Sequence, residues 1–301
     1  MTKLMTSAGP CQVPNPLFRN RHGDGTGMRL LFVAGLRGDD LSGVHALGML
    51  HQKLLKGDGP GYGPLAGTID LYPTSHPMGV DGLGFAPDRR EHEARYGGAS
   101  IDALVSEAQQ ADLFVHLTLA APDLVEATQV HVTQAQRART VGVAQAAGGD
   151  AVWLRSRWEP GSLCARMEEA GVPALALHLG AEALERDDAR DVLRGLLGIC
   201  QEAGVLGGDV FASRRPPAAH ILTDDDVRSL RADATGLFLP ASRREPEVWE
   251  GDLLGHVVDP LSGGEVCEVR APAHGFVLAR RRAGVVRPGA ELARIAAYPA
   301  L

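Results

Sequence analysis

Between Met28 and about Gly208, short apolar runs alternate with longer amphipathic segments. The runs Arg29–Ala34, Thr68–Tyr72, Leu113–Leu117, Thr140–Val143, Ala151–Leu154 and Ala174–Leu179 predict strands. The segments Gly43–Lys56, Ser100–Gln110, Asp123–Arg137, Ser162–Ala170 and Glu182–Ala203 predict helices. This alternation predicts an α/β layer fold with a mostly parallel central sheet flanked by helices. Such sheets bind ligands beyond the carboxyl ends of their strands. Arg37, Asp40, His116, Thr118 and His178 all fall at or just past such ends.

The pattern changes on either side of this region. Residues 1–27 are rich in Pro, Gly, Asn and Asp, show no periodicity, and read as a flexible N-terminal arm. Residues 28–208 read as the α/β domain, and residues 209–301 as a β-rich module of short strands punctuated by Gly and Pro. That module carries an internal repeat. Arg231-Ala232, Gly236-Leu237-Phe238-Leu239, Val248, Gly251 and Leu254 recur as Arg270-Ala271, Gly275-Phe276-Val277-Leu278, Val286, Gly289 and Leu292. Two interlocked copies predict a small barrel or sandwich similar to the biotinyl/lipoyl carrier fold. No Lys follows Lys56, so no carrier lysine is available, and the module reads as structural or as a cover.

Composition narrows the function classes. The chain has 301 residues, 45% hydrophobic and 22% charged, with a net charge of -7. An acidic balance argues against nucleic acid or an anionic membrane as partner. Two local basic clusters, Arg89/Arg90/Arg95 and Arg280/Arg281/Arg282, read first as solvated faces. Cys11, Cys164, Cys200 and Cys267 form no CxxC pair, so neither a disulfide framework nor a thiolate zinc site is expected. No apolar run suits a signal peptide or a membrane span, and the expected location is the cytoplasm. Gly23-Asp24-Gly25-Thr26-Gly27 lacks the Gly-Lys-Ser/Thr of a phosphate loop and reads as a turn. No G-x-S-x-G elbow occurs to support a serine triad.

Three blocks carry a resemblance to a known family. They are Gly35-Leu36-Arg37-Gly38-Asp39-Asp40-Leu41-Ser42-Gly43, Gly171-Val172-Pro173-Ala174 running to His178-Leu179-Gly180, and Gly198-Ile199-Cys200-Gln201-Glu202-Ala203-Gly204-Val205-Leu206. Their order and spacing, with the repeat behind them, resemble the succinylglutamate desuccinylase/aspartoacylase family. The resemblance spans roughly Met28 to Ala297 and implies a zinc carboxypeptidase-like fold. It also implies a zinc held by a His and a Glu of the first block and by a His at the end of a later strand. Here those positions read Arg37, Asp40 and Thr118, with His116 in the place of the family's Asp. The family's catalytic carboxylate is replaced by His178. His76-Pro77-Met78-Gly79 stands for its N-P-x-G motif, and Asp88-Arg89-Arg90-Glu91 loosely for its D-L-N-R.

These replacements bear directly on the chemistry. A guanidinium offers only donors and stays protonated, so Arg37 cannot ligate zinc. Without a metal and a base beside it, the family's hydrolytic mechanism has nothing to run on. The expectation is a protein that is not an ordinary zinc hydrolase, with no metal and no other cofactor. It would act as a non-catalytic binding or assembly subunit whose partner is a catalytically active paralogue. Ligand-binding candidates are Arg37, Asp39, His76, Arg89, Arg90 and Arg95, suited to a small carboxylate. The alternative is a rebuilt zinc or iron site of Asp40, His116 and His178 that hydrolyses the amide (C–N) bond of an N-acyl amino acid or acidic peptide. A metal-free acid–base pair of His178 and Asp40, joined by His76, is a third reading, with His178 as the catalytic residue.

Overall fold

A computed structural model describes residues 18–36, 40–59, 61–74, 102–119, 123–180, 186–211, 218–241 and 246–298. Arg37, Asp39, His76, Arg89, Arg90 and Arg95 lie outside the described residues.

The α/β part contains strands β1 (Asn20–His22), β2 (Arg29–Val33), β3 (Thr68–Tyr72), β4 (Leu113–Leu119), β5 (Leu124–Glu126), β6 (Gln129–Thr133), β7 (Ala151–Arg155), β8 (Ala174–Leu179) and β9 (His220–Thr223). Its helices are α1 (Leu41–Lys56), α2 (102–108), α3 (Arg137–Ala146), α4 (Leu163–Glu169) and α5 (Arg186–Glu202). All the strands but β5 form one mixed sheet in the order β1-β3-β2-β4-β8-β6-β7-β9. Antiparallel pairing occurs only between β1 and β3 and between β8 and β6. The remaining pairs are parallel, as the strand–helix alternation predicts.

Both faces of the sheet are covered. Leu30, Phe32, Val115, Leu117, Val132, Leu154, Leu175 and Leu177 pack on one side against α1, α3 and α5. Leu31, Val33, Phe114, Ala174 and Ala176 pack on the other against α2 and α4. Cys164 and Cys200 are buried in these two cores, where burial pushes both thiols up, so they behave as small apolar residues.

Two expectations are corrected here. Asp123–Arg137 is not a helix but β5, β6 and a 3-10 turn, and Thr140–Val143 is not a strand but the middle of α3. In the first segment Val130 and Val132 face one core while Gln129, His131 and Thr133 face the other side, a period of two. In the second, Thr140, Val143, Ala144 and Ala147 are buried at spacings of three and four, so helical periodicity overrides the β-branched Thr-Val-Gly-Val.

The β-rich part contains β10 (Val227–Arg231), β11 (Gly236–Pro240), β12 (Glu247–Val248), β13 (Leu253–Val258), β14 (Glu265–Arg270), β15 (Gly275–Arg281), β16 (Gly284–Val286) and β17 (Glu291–Ala297). They form two antiparallel sheets, β10-β17-β15-β12 and β14-β13-β11-β16, around a shared core of Phe238, Leu254, Val257, Val277, Val286, Leu292 and Ile295. Each sheet takes two strands from each sequence copy. The copies also lock reciprocally. Arg231 Nη1 donates to Gly289 O at 2.9 Å, and Arg270 Nη1 donates to Gly251 O at 2.8 Å. Gly251 and Gly289 both sit at φ 87°, a left-handed conformation that explains why both copies carry Gly there.

One edge of the central sheet is pinned by charge. Asp70 on β3 is fully buried and accepts two bonds from Arg21 of β1 at 2.8 and 2.9 Å and one from Arg29 of β2 at 2.6 Å. Burial pushes its carboxyl upward, but the arginine hydrogen bonds and charges outweigh this and hold it below the usual carboxylate range. Breaking a buried pair strands its partner, so Asp70→Ala should cost about 3 kcal/mol in urea unfolding at neutral pH. A loss under about 1 kcal/mol would mean that the arginines simply rehydrate.

Candidate functional site

The first predicted site element reaches from β2 to the first turn of α1, and its residues 35, 36 and 40–43 are described. Asp40 is buried and caps α1, its Oδ1 accepting from Gly43 N at 3.3 Å. Gly35 takes a left-handed φ of 61°. A Cβ there would stand 3.0 Å from Val44 Cγ2 and 3.1 Å from Pro73 O.

The predicted strand residues meet on one face of the sheet. Thr118 and His178 each lie one residue from a carboxyl end. His116, expected at an end, lies in the middle of β4 because that strand runs on to Leu119. His116 and Thr118 on β4 lie beside Ala176 and His178 on β8, and His178 and Ala176 lie beside Gln129 and His131 on β6. Because all these positions share one alternation, their side chains form a polar patch opposite the α1 core. Sequence reasoning names His116, Thr118 and His178 but misses the other half of the patch.

That other half is a connected set. His131 and His178 stack with centroids 4.0 Å apart. His131 Nε2 is 3.1 Å from Gln129 Oε1, and Gln129 Nε2 donates to Leu278 O of β15 at 3.3 Å. With the amide so oriented, His131 donates through Nε2. Glu126, buried on β5, places Oε2 3.5 Å from His178 Nδ1 and Oε1 3.4 Å from Arg294 Nη1 of β17. Arg294 also holds Glu291 through two bonds of 3.1 and 2.7 Å. Trp153 of β7 completes the wall: its Nε1 donates to Asp224 at 2.9 Å, and the Arg155 and Arg294 guanidiniums lie over its ring.

The electrostatics follow from burial and neighbours. Burial raises the Glu126 carboxyl, but His178 and Arg294 outweigh it and hold the group below its ordinary range. Burial, with the charges of His178, Arg155 and Arg294, drives His131 well below the ordinary imidazole value, so it is neutral.

A resident zinc would need donors converging at about 2.0–2.2 Å from one point. Asp40, His116 and His178 do not bring three donor atoms within 4.8 Å of one another. Among the described residues that spacing occurs at His256, Glu265 and Glu268, on the β-rich module. The patch around His178 therefore does not fit the zinc of the family as it stands. His178 faces Glu126, not Asp40, so the acid–base pairing expected from the sequence is replaced by another carboxylate.

No protein-family model matches the chain, and no curated protein matches it either. Solved structures do. A succinylglutamate desuccinylase/aspartoacylase from Rhodobacter sphaeroides superposes at TM-score 0.75 and 21% identity, covering 92% of this chain and 88% of that one. The product-bound ectoine utilization protein of Ruegeria pomeroyi gives 0.76 and 20%, covering 93% and 88%. An aspartoacylase family protein of Mesorhizobium loti gives 0.72 and 19%, covering 94% and 89%. The fold is that of the succinylglutamate desuccinylase/aspartoacylase proteins. At such identities the likeness is one of architecture, and it extends through the β-rich module.

His131 has a testable effect on stability. A base whose folded pKa is lowered stabilises the fold fully above its unfolded value, about 6.5, and that stability is lost as pH falls below it. Chemical unfolding should show stability falling from pH ~6.5 to ~5 by up to about 1.4 kcal/mol per pH unit. His131→Gln, which keeps a donor for Gln129, should flatten that limb. Some slope will remain from His22, also lowered by burial and by His51. An unchanged limb would show that His131 is not buried neutral.

Proposed function

We propose that this chain is a non-hydrolytic member of its fold, a binding or assembly subunit that takes a small carboxylate and pairs with a catalytically active paralogue. The observation that supports it most is the use made of His178. It stands where the resemblance places the hydrolytic carboxylate, stacks on His131, and has its Nδ1 3.5 Å from Glu126 Oε2. Glu126 is in turn held by Arg294 of the β-rich module. Groups that would polarise water or a carbonyl are engaged with each other and with the joint between the two parts of the chain. Asp40 likewise serves as the cap of α1.

The test is metal analysis of purified protein with turnover assays on N-acyl amino acids and short acidic peptides, with and without added zinc or ferrous iron. The expected result is substoichiometric metal and no hydrolysis above background. Stoichiometric metal, with turnover lost in His116→Ala and His178→Ala, would overturn the reading in favour of a rebuilt metallohydrolase. Turnover without metal, abolished by His178→Gln and Glu126→Gln, would instead mark an acid–base enzyme. The part-exposed His–Glu pair is the specific feature favouring that second reading.

A further inference from the structure

We infer that the cavity between β5 and the β-rich sheets is a ligand site for a small amphiphilic anion, a carboxylate carrying an aliphatic tail. The cavity measures about 430 Å³, within the range of small-molecule sites. Its apolar wall comes from both sheets: Phe238 and Leu254 from one, and Val277, Leu292 and Ala293 from the other. These are core residues, each under one-tenth exposed. Interiors close-pack, so apolar space of this size at the core of a small module is space an aliphatic group fits.

The polar end of the cavity is cationic. Arg280, Arg281 and Arg282 line it, and the exposed Arg282 and Ala283 mark where it meets solvent. Arg281 uses Nη1 for Glu291 O at 2.9 Å and Nη2 for Asp123, yet its Nε is buried with no acceptor. Arg282 donates only its backbone N–H, to Asp123 O at 2.8 Å, and its guanidinium makes no ion pair among the described residues. A buried guanidinium N–H without an acceptor is costly, and a ligand oxygen would remove that cost. Among the described residues, Glu126 is the one acidic group on the lining; it faces Arg294 and His178 and is the only residue the cavity shares with the polar patch. An anion with an apolar tail matches this division. A wholly polar anion would leave the apolar wall unused.

The test is calorimetric titration of the full chain with acetate, hexanoate, octanoate and decanoate, and with decanol as the uncharged control. Affinity should rise about fourfold per added methylene until the cavity is full. Decanol should bind at least about tenfold more weakly than decanoate. Ala283→Glu, an exposed change at the mouth, should weaken decanoate about tenfold or more with an unchanged melting temperature. Ala241→Trp, which fills the cavity from its rim, should abolish binding. No saturable binding of any carboxylate, equal affinity for decanol, or full binding by both variants would each overturn the proposal. Should Ala241→Trp prove misfolded by circular dichroism, Ala283→Glu decides alone.

Discussion

The buried carboxylate of Glu126 sits between two nitrogen bases from distant parts of the chain, the His178 imidazole of the central sheet and the Arg294 guanidinium of the β-rich module. A carboxylate that deep is tolerated only while both partners stay in place. It therefore fixes where β5 lies, and β5 is the strand that runs antiparallel beside β15 and joins the two parts. Gln129 adds a second tie through Leu278 O, and the β5–β6 link a third through Ala127 N to the same carbonyl. The polar patch at the strand ends and the joint between the two parts are one structure, and a change in either is felt in the other.

That unity explains why half of the patch was hard to read from the sequence. His116, Thr118 and His178 lie within β4 and β8 behind apolar residues, and their shared alternation is visible from the runs that precede them. Glu126, Gln129 and His131 lie in a segment with polar residues at every second position, which mimics a solvated helix face when the other side of the strand is not known. The signal that separates the readings is the alternation Gln129-Val130-His131-Val132-Thr133, which is period two. Arg294 carries no local signal at all. Its role depends on a contact with Glu126 across 168 residues of sequence, and only the folded chain brings them together.

The fold itself was far more legible, for a physical reason. Strands β2 and β8 are largely apolar on both faces because helices cover both sides of the sheet there, so they appear as short continuous runs. The repeat was legible because its geometry is reciprocal. Both left-handed turns need Gly, and both arginines need the opposite copy's turn carbonyl. Each requirement leaves the same residue types at the same spacing twice. What the repeat did not reveal is that β5, from outside the module, would pair with one of its strands.

The internal symmetry of the module is broken at that pairing. In one sheet β11 pairs with β16 across Gly236–Phe238. In the other, β12 pairs with β15 only at Gly275 and Phe276, and β5 takes over at Ala279–Arg281. Between these two partners the edge of β15 is held by single bonds, Val277 N donating to Pro246 O at 2.8 Å and Ala127 N donating to Leu278 O at 3.0 Å, and Pro246, Val277 and Ala127 all border the cavity found there. At the end of this strand the second copy reads Arg280-Arg281-Arg282 where the first reads Ala241-Ser242-Arg243. Docking to the sheet and opening of the cavity are thus two results of one departure from symmetry. β5, which replaces β12 along β15, both lines the cavity through Val125 and Glu126 and carries Glu126 to His178.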